Sequence, residues 1–241
     1  MSGKKRILKQ PSWVLHQRPY RDTSSIIDIF SRDFGRISIV AKGSRSPKSK
    51  FRGLLRPFLP MNLSWYSGKN LGNLTDIEVT EKPYNLTGDS LLSAYYLNEL
   101  IIKFLLKDDS QVEIYDLYSR TISSLIQARD IAPILRIFEL EFLRLIGYGL
   151  NLNFEAGTEF PVKSNLFYEY KPDVGLVISE SKDKPYVFGG ADIKAINQRD
   201  FQSNKTIKTA NKLLKSIITY HLDGRQLKTR KVLEELRRFG D

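Results

Sequence analysis

The sequence predicts an α+β fold in which a small five-stranded barrel precedes a mainly helical region. Two observations carry this. Up to about residue 80, short β-branched and aromatic runs alternate with turn signals, whereas beyond Pro83 apolar residues recur at steps of three and four. The strand-rich part is also interrupted by VAKGSRSPKSKFRG, residues 40–53, in which five of fourteen residues are Lys or Arg and none is acidic.

Trp13-Val14-Leu15 marks the first strand, which is expected to break at Arg18-Pro19. Ser25-Ile26-Ile27-Asp28-Ile29-Phe30 and Arg36-Ile37-Ser38-Ile39-Val40 follow, joined by a turn at Asp33-Phe34-Gly35. Met61, Leu63 and Trp65 alternate with Asn62 and Ser64, as in a half-buried strand, and Leu74 to Val79 makes a fifth. Five short strands over about 70 residues suit a small closed barrel, and the five-stranded barrel that commonly binds oligonucleotides is the OB-fold. Residues 1–80 are therefore expected to form an OB-fold nucleic-acid-binding domain.

In the remainder, 81–241, Asp89 or Ser90 can cap a helix whose apolar face runs from Leu92 to Leu105. A second helix is expected over Val112 to Ile126. Pro133 falls in the first turn of a third, APILRIFELEFLRLIG, which is apolar over most of its circumference and stops at Gly147. Residues 150–200 read as irregular, with short strands at Phe167–Tyr170 and Gly175–Ile178. C-terminal helices follow within 203–239. In the first, Ile207, Ala210, Leu214, Ile217 and Ile218 share one face and Lys205, Lys208, Lys212 and Lys215 the other.

Charge placement narrows the partner. Residues 1–60 hold 14 Lys/Arg against 3 Asp/Glu, residues 61–200 hold 14 against 20, and residues 201–241 hold 10 against 4, for a net charge of +11. No carboxylate occurs between Phe34 and Thr75. A fixed basic surface concentrates polyanions, so nucleic acid is the expected partner.

Several chemistries are excluded or disfavoured. The chain has no cysteine, hence no disulfide, thiolate metal site or cysteine nucleophile. It has no phosphate-cradling glycine motif for nucleotide hydrolysis. His16 and His221, the two histidines, read as a strand-surface residue and a helix-end charge. Asp108-Asp109 could suggest a nuclease metal pair, but adjacent helical residues do not face each other and a helix end is the better reading. No enzyme, cofactor or metal site is expected. No apolar run approaches the roughly 20 residues of a membrane span, so a cytoplasmic protein without membrane contact is expected.

Lys42, Arg45, Lys48, Lys50 and Arg52 have two readings: a solvated loop, or a phosphate-binding loop whose Gly and Ser residues let a backbone approach closely. The carboxylate-free setting on a candidate oligonucleotide-binding barrel favours the second. Trp13, Tyr20, Phe51, Trp65 and Tyr66 are candidate stacking platforms. Most of these sit at core spacing; Tyr20 and Phe51, in turns, are the exceptions.

The segments Val14-Leu15-His16-Gln17-Arg18-Pro19-Tyr20-Arg21-Asp22-Thr23-Ser24, Phe34-Gly35-Arg36, Val40-Ala41-Lys42-Gly43-Ser44-Arg45 and Leu55-Arg56-Pro57-Phe58 resemble the amino-terminal domain of the RecO recombination-mediator family. The resemblance continues through Tyr96-Leu97-Asn98-Glu99-Leu100, Leu135-Arg136-Ile137-Phe138-Glu139-Leu140, Gly147-Tyr148-Gly149 and Leu227-Lys228-Thr229-Arg230. It implies a protein that binds single- and double-stranded DNA and anneals complementary strands. It further implies loading of RecA recombinase on DNA coated by single-stranded-DNA-binding protein (SSB), with RecR and in some members RecF, at a cytoplasmic, nucleoid-associated location. Many members carry four zinc-binding cysteines in the C-terminal half. This chain has none, which implies a degenerate, metal-free zinc-finger-like α/β module at about 150–195. The family's arginine for docking the acidic SSB tail matches Arg136, for which an ion pair with Glu139 or Glu141 is the competing reading. Lys228, Arg230 and Lys231 form a second candidate DNA-contact set. An OB-fold RNA-binding accessory protein is the alternative from another class, and a metal-dependent nuclease the enzyme alternative.

Overall fold

In the computed structural model, which describes residues 5–68 and 71–239, β1 (Arg6–Tyr20) is one 15-residue strand rather than the short segment expected. Its register shifts twice, between Ile7 and Gln10 and between Val14 and His16, with Lys9 in the left-handed region at φ 47°. Such bulges bend a strand, and the bend lets β1 pair with β4 (Met61–Tyr66) through Ser12 and with β2 (Ser24–Ser31) from Ser12 onward. Pro19 does not end the strand, contrary to expectation. It lies where β1 has a partner only in β2, an edge stretch in which proline is tolerated.

With β3 (Gly35–Ala41) and β5 (Gly72–Val79), the strands close in the order β1-β2-β3-β5-β4. The parallel contact between β3 and β5 completes the ring. Closure gives every strand a neighbour on each side over part of its length, and the interior is filled by Val14, Ile27, Ile29, Ile39 and Leu63 among others. This is the five-stranded OB-like barrel that the alternating pattern predicts.

β2 is apolar on both faces for a reason. Ile27 and Ile29 point into the barrel, while Phe30 packs edge-on against Tyr115 and Tyr118 of α2 (Val112–Leu125). Helices α1 (Gly88–Phe104) and α2 thus belong to the same compact unit as the barrel, Met1–Ala128. Polar contacts fix the packing: Asn98 Nδ2 donates to the Leu15 carbonyl at 2.9 Å, Tyr118 donates to Asn98 Oδ1, and Arg32 grips Asp116 through two 3.0 Å bonds. Thr87, rather than Asp89 or Ser90, occupies the N-cap position of α1. Asp108 and Asp109, expected at a helix end, follow α1 in the connection to α2, and the Asp108 N–H donates to the Arg36 carbonyl of β3 at 2.9 Å.

The second unit, Arg129–Asp241, is built on α3 (Ile131–Leu145), α4 (Gly190–Asn197), α5 (Asn204–His221) and α6 (Lys228–Phe239). Asp130 caps α3 by accepting from the Ala132 N–H. Phe138, Phe142 and Leu143 of α3 and Leu213, Leu214 and Ile217 of α5 are buried. A three-stranded sheet, β7-β6-β8, is formed by β6 (Phe167–Lys171), β7 (Gly175–Ile178) and β8 (Val187–Gly189), with Tyr168 buried. β8 and α4 carry no clear period in the sequence because each is so short. Among the described residues, no helix is long and apolar enough to cross a membrane.

Candidate nucleic-acid interface

The register of the first three strands decides which basic residues meet. Tyr20 pairs with Ser24 across the β1–β2 turn, and Ser25 pairs with Ala41, the last residue of β3. The β1–β2 turn and the start of the 42–60 connection therefore emerge side by side at one end of the barrel. The Arg45 N–H donates to the Thr23 carbonyl at 2.8 Å, and Arg45 Nη2 donates to the carbonyls of Arg21 and Asp22 at 2.8 and 2.6 Å. Ser44, buried, bonds Ser25 at 3.0 Å and anchors the connection from beneath.

This brings exposed Arg18, Arg21, Lys42 and Arg45 to one corner, with Asp22 as the acid in the turn. Lys42 and Lys48, among the described residues, make no ion pair. The sequence alone does not single out Arg18 and Arg21, because only the strand pairing brings them beside Lys42 and Arg45. Arg21 also lies over the ring of half-buried Tyr20, 5.1 Å from its centroid.

The rest of the basic stretch is deployed differently. β5 continues past the end of β3, and Lys50 Nζ donates to the Thr75 carbonyl at 2.9 Å with Asp76 at 3.5 Å. Both members of that pair are about two-thirds exposed, so water screens it and the lysine stays available to an anion. Arg52 is exposed and donates to the Pro47 carbonyl at 3.3 Å. Phe51 is not a stacking platform: it is buried in the barrel core. Trp13 and Trp65 are buried as well, Trp13 with its Nε1 on Ser119 at 2.9 Å. Tyr66 remains partly exposed beneath Arg6.

In the second unit, Glu139 is fully buried and accepts from Arg136 at 2.8 Å and Arg230 at 3.3 Å. Arg136 is itself buried and also bonds Asn211 Oδ1 of α5. Of the tail set, Lys228 and Lys231 are exposed, with Lys231 3.8 Å from Glu235, whereas Arg230 is turned inward to Glu139 with its side chain only 15% exposed. Among the described residues there is no cluster of three or more His, Asp or Glu able to hold a metal ion.

The arrangement is a cationic corner on a closed barrel. Two sequence-family models match the chain: Recombination protein O N terminal over residues 5–83 and Recombination protein O C terminal over residues 86–231. A protein of Nitrosococcus oceani called DNA repair protein RecO is 37% identical over 237 residues, covering 98% of this chain and 96% of its own length. Relatives with the same name from Aromatoleum aromaticum and Coxiella burnetii are 38% and 34% identical, each covering at least 95% of both chains. Matched along nearly its whole length, with the barrel where the amino-terminal domain is expected, the chain belongs to the RecO family of DNA repair proteins.

Proposed function

We propose that this chain is a recombination mediator that binds single- and double-stranded DNA, anneals complementary strands, and helps load RecA on SSB-coated DNA with RecR and, in some settings, RecF. The observation that carries the reading is the corner of Arg18, Arg21, Lys42 and Arg45, held on a closed barrel by the bonds of Arg45 to the β1–β2 turn. Fixed guanidinium and ammonium groups bind phosphate without reading sequence, and base pairing supplies recognition. Lys48, Lys50 and Arg52 extend the phosphate track, and Lys228 and Lys231 offer a second contact set on the other unit, with Arg230 bracing α6 against Glu139. Strand repulsion falls when each strand meets a cationic surface, so annealing needs no nucleotide hydrolysis.

For the SSB tail, docking is assigned to α3 at Arg136. Its Nη2 is held by Glu139, and its Nη1 by Asn211, an exposed residue that an incoming carboxylate could replace. Neighbouring Ile137 is 40% exposed and offers an apolar contact for the tail's apolar end. Residues 150–195 are read as the metal-free form of the family's zinc module, stabilised by packing around Tyr168.

The experiment follows annealing of two complementary fluorescent oligonucleotides, bare and SSB-coated, with no nucleotide and with rising salt. Salt-sensitive acceleration of both is expected. Absence of acceleration with folded protein, or an RNA strand displacing DNA, would overturn the reading.

A further inference from the structure

A cleft of about 1150 Å³ opens in the second unit between α5 and the chain around β6 and β8. Its walls carry Tyr148, Tyr186 and Tyr220, each between 45% and 48% exposed, together with Lys212, Lys215 and His221. Three large rings left nearly half in water within one cleft are unusual, because an aromatic face gains most from burial. Tyr148 and His221 are already stacked, with centroids 3.9 Å apart and planes 13° from parallel. Tyr186 is held at φ 64°, a backbone conformation uncommon for a bulky residue, and Tyr220 is fixed by donating to Asp173. Lys212 Nζ lies 5.9 Å from the centroids of both Tyr186 and Phe188, and among the described residues it has no carboxylate partner. Among the described residues, Asp173 is engaged by Tyr220, and Asp223 lies 3.5 Å from Arg225.

Flat, pre-positioned rings interspersed with cations suit a ligand that has a π-face and an anionic linkage at each repeat. We infer that this cleft is a stacking site for a single nucleic-acid strand, in which bases lie on Tyr186, Tyr220 and the Tyr148–His221 stack while Lys212 and Lys215 meet phosphates. An acidic peptide would satisfy the lysines but leave the ring faces without flat partners. The assignment of the cleft to the second strand in annealing rests on the reading above; its affinity for a single strand does not.

The test uses the full chain with Lys42, Arg45, Lys48, Lys50 and Arg52 changed to alanine, so that the barrel loop contributes little. A dT oligonucleotide carrying 5-iododeoxyuridine is photocrosslinked and the adducts are mapped, in this variant and in the unaltered chain. Crosslinks are expected on Tyr186 or Tyr220. Anisotropy should show residual affinity that falls about 5- to 150-fold per stacked base lost in Tyr186→Ala/Tyr220→Ala. Tyr186→Phe alone should keep the affinity, because phenylalanine keeps the ring face, whereas Tyr220→Phe also loses the bond to Asp173. With two phosphate contacts, the residual salt slope should be only about −1.4. The inference is overturned if no crosslink falls in the cleft of the unaltered chain, if the alanine variant binds as before, or if an acidic peptide occupies the cleft where dT does not. Crosslinking without annealing would uphold the cleft and remove the annealing reading; annealing without crosslinking would do the reverse.

Discussion

Arg45 Nη2 spans from the β3–β4 connection to the β1–β2 turn, donating at once to the carbonyls of Arg21 and Asp22. Arg45 therefore has two tasks, because the same exposed guanidinium fixes the turn and faces solvent. Arg45→Ala is expected to weaken oligonucleotide binding more than Lys42→Ala, which removes one charge and no bond. Arg45→Lys should recover the charge and not the geometry, since an ammonium lacks the planar fork. Stability should fall by no more than about 1 kcal/mol for any of the three, as expected of exposed groups. Anisotropy at fixed salt, with urea melts, checks the order.

Gly35 carries the sharpest backbone constraint in the barrel. At φ +66°, it turns β2 into β3, and an added Cβ would lie 1.7 Å from the Asp109 carbonyl oxygen. Gly35→Ala must displace that connection and is expected to cost more than about 2 kcal/mol. Gly53, at φ +75° with nothing within 4 Å, isolates the conformational part; its alanine variant should lose only about 1–2 kcal/mol. Equal midpoints for the two variants in urea would refute the steric account.

Arg136→Ala leaves the fully buried Glu139 carboxylate with one arginine fewer. Breaking a buried pair from one side is expected to cost about 3–5 kcal/mol. Loss of SSB-tail binding in this variant is therefore informative only when a urea melt shows that the second unit is still folded. Asn211→Ala spares the Glu139 pair and should alter tail affinity with a smaller stability change. If Arg136→Ala melts like the unaltered chain, the ion pair is not structural.

The pairing of Arg32 with Asp116 gives a pH signature. Hydrogen bonding to Arg32 holds the Asp116 carboxyl below its ordinary value. A carboxyl depressed in the folded state stabilises above its unfolded pKa and loses that contribution as pH falls through the folded value. Both side chains are more than a third exposed, so the effect should be small and reduced by salt. Asp116→Asn should lower the melting temperature slightly at pH 7 and converge with the unaltered chain below about pH 4. A gap that widened on acidification would contradict this.

The sequence made the architecture legible wherever burial imposes a period. Ile27 and Ile29 at period two and Ala210, Leu214 and Ile217 at steps of three and four stand where those patterns place them. The C-terminal half of β1 is hidden in the sequence because Pro19 looks like a terminator, and only the one-sided pairing of this stretch removes the objection. Phe51 misleads for the opposite reason: it sits in a polar turn-like run, yet the chain dips there to plug the barrel. The candidate site was half legible. Local charge marks Lys42 and Arg45, but their union with Arg18 and Arg21 depends on strand register, and the turning of Arg230 onto Glu139 joins residues 91 apart in sequence. Long-range ion pairs leave no local trace.

The barrel corner is predicted to bind DNA through charge. The most direct test is the slope of log affinity against log salt for a dT oligonucleotide, measured for the unaltered chain and for the variant with Arg18, Arg21, Lys42 and Arg45 all changed to alanine. If the four residues contact phosphates, the slope should become shallower by roughly 2.8, at about 0.7 per single-strand contact. Parallel slopes, with both proteins folded, would contradict the account.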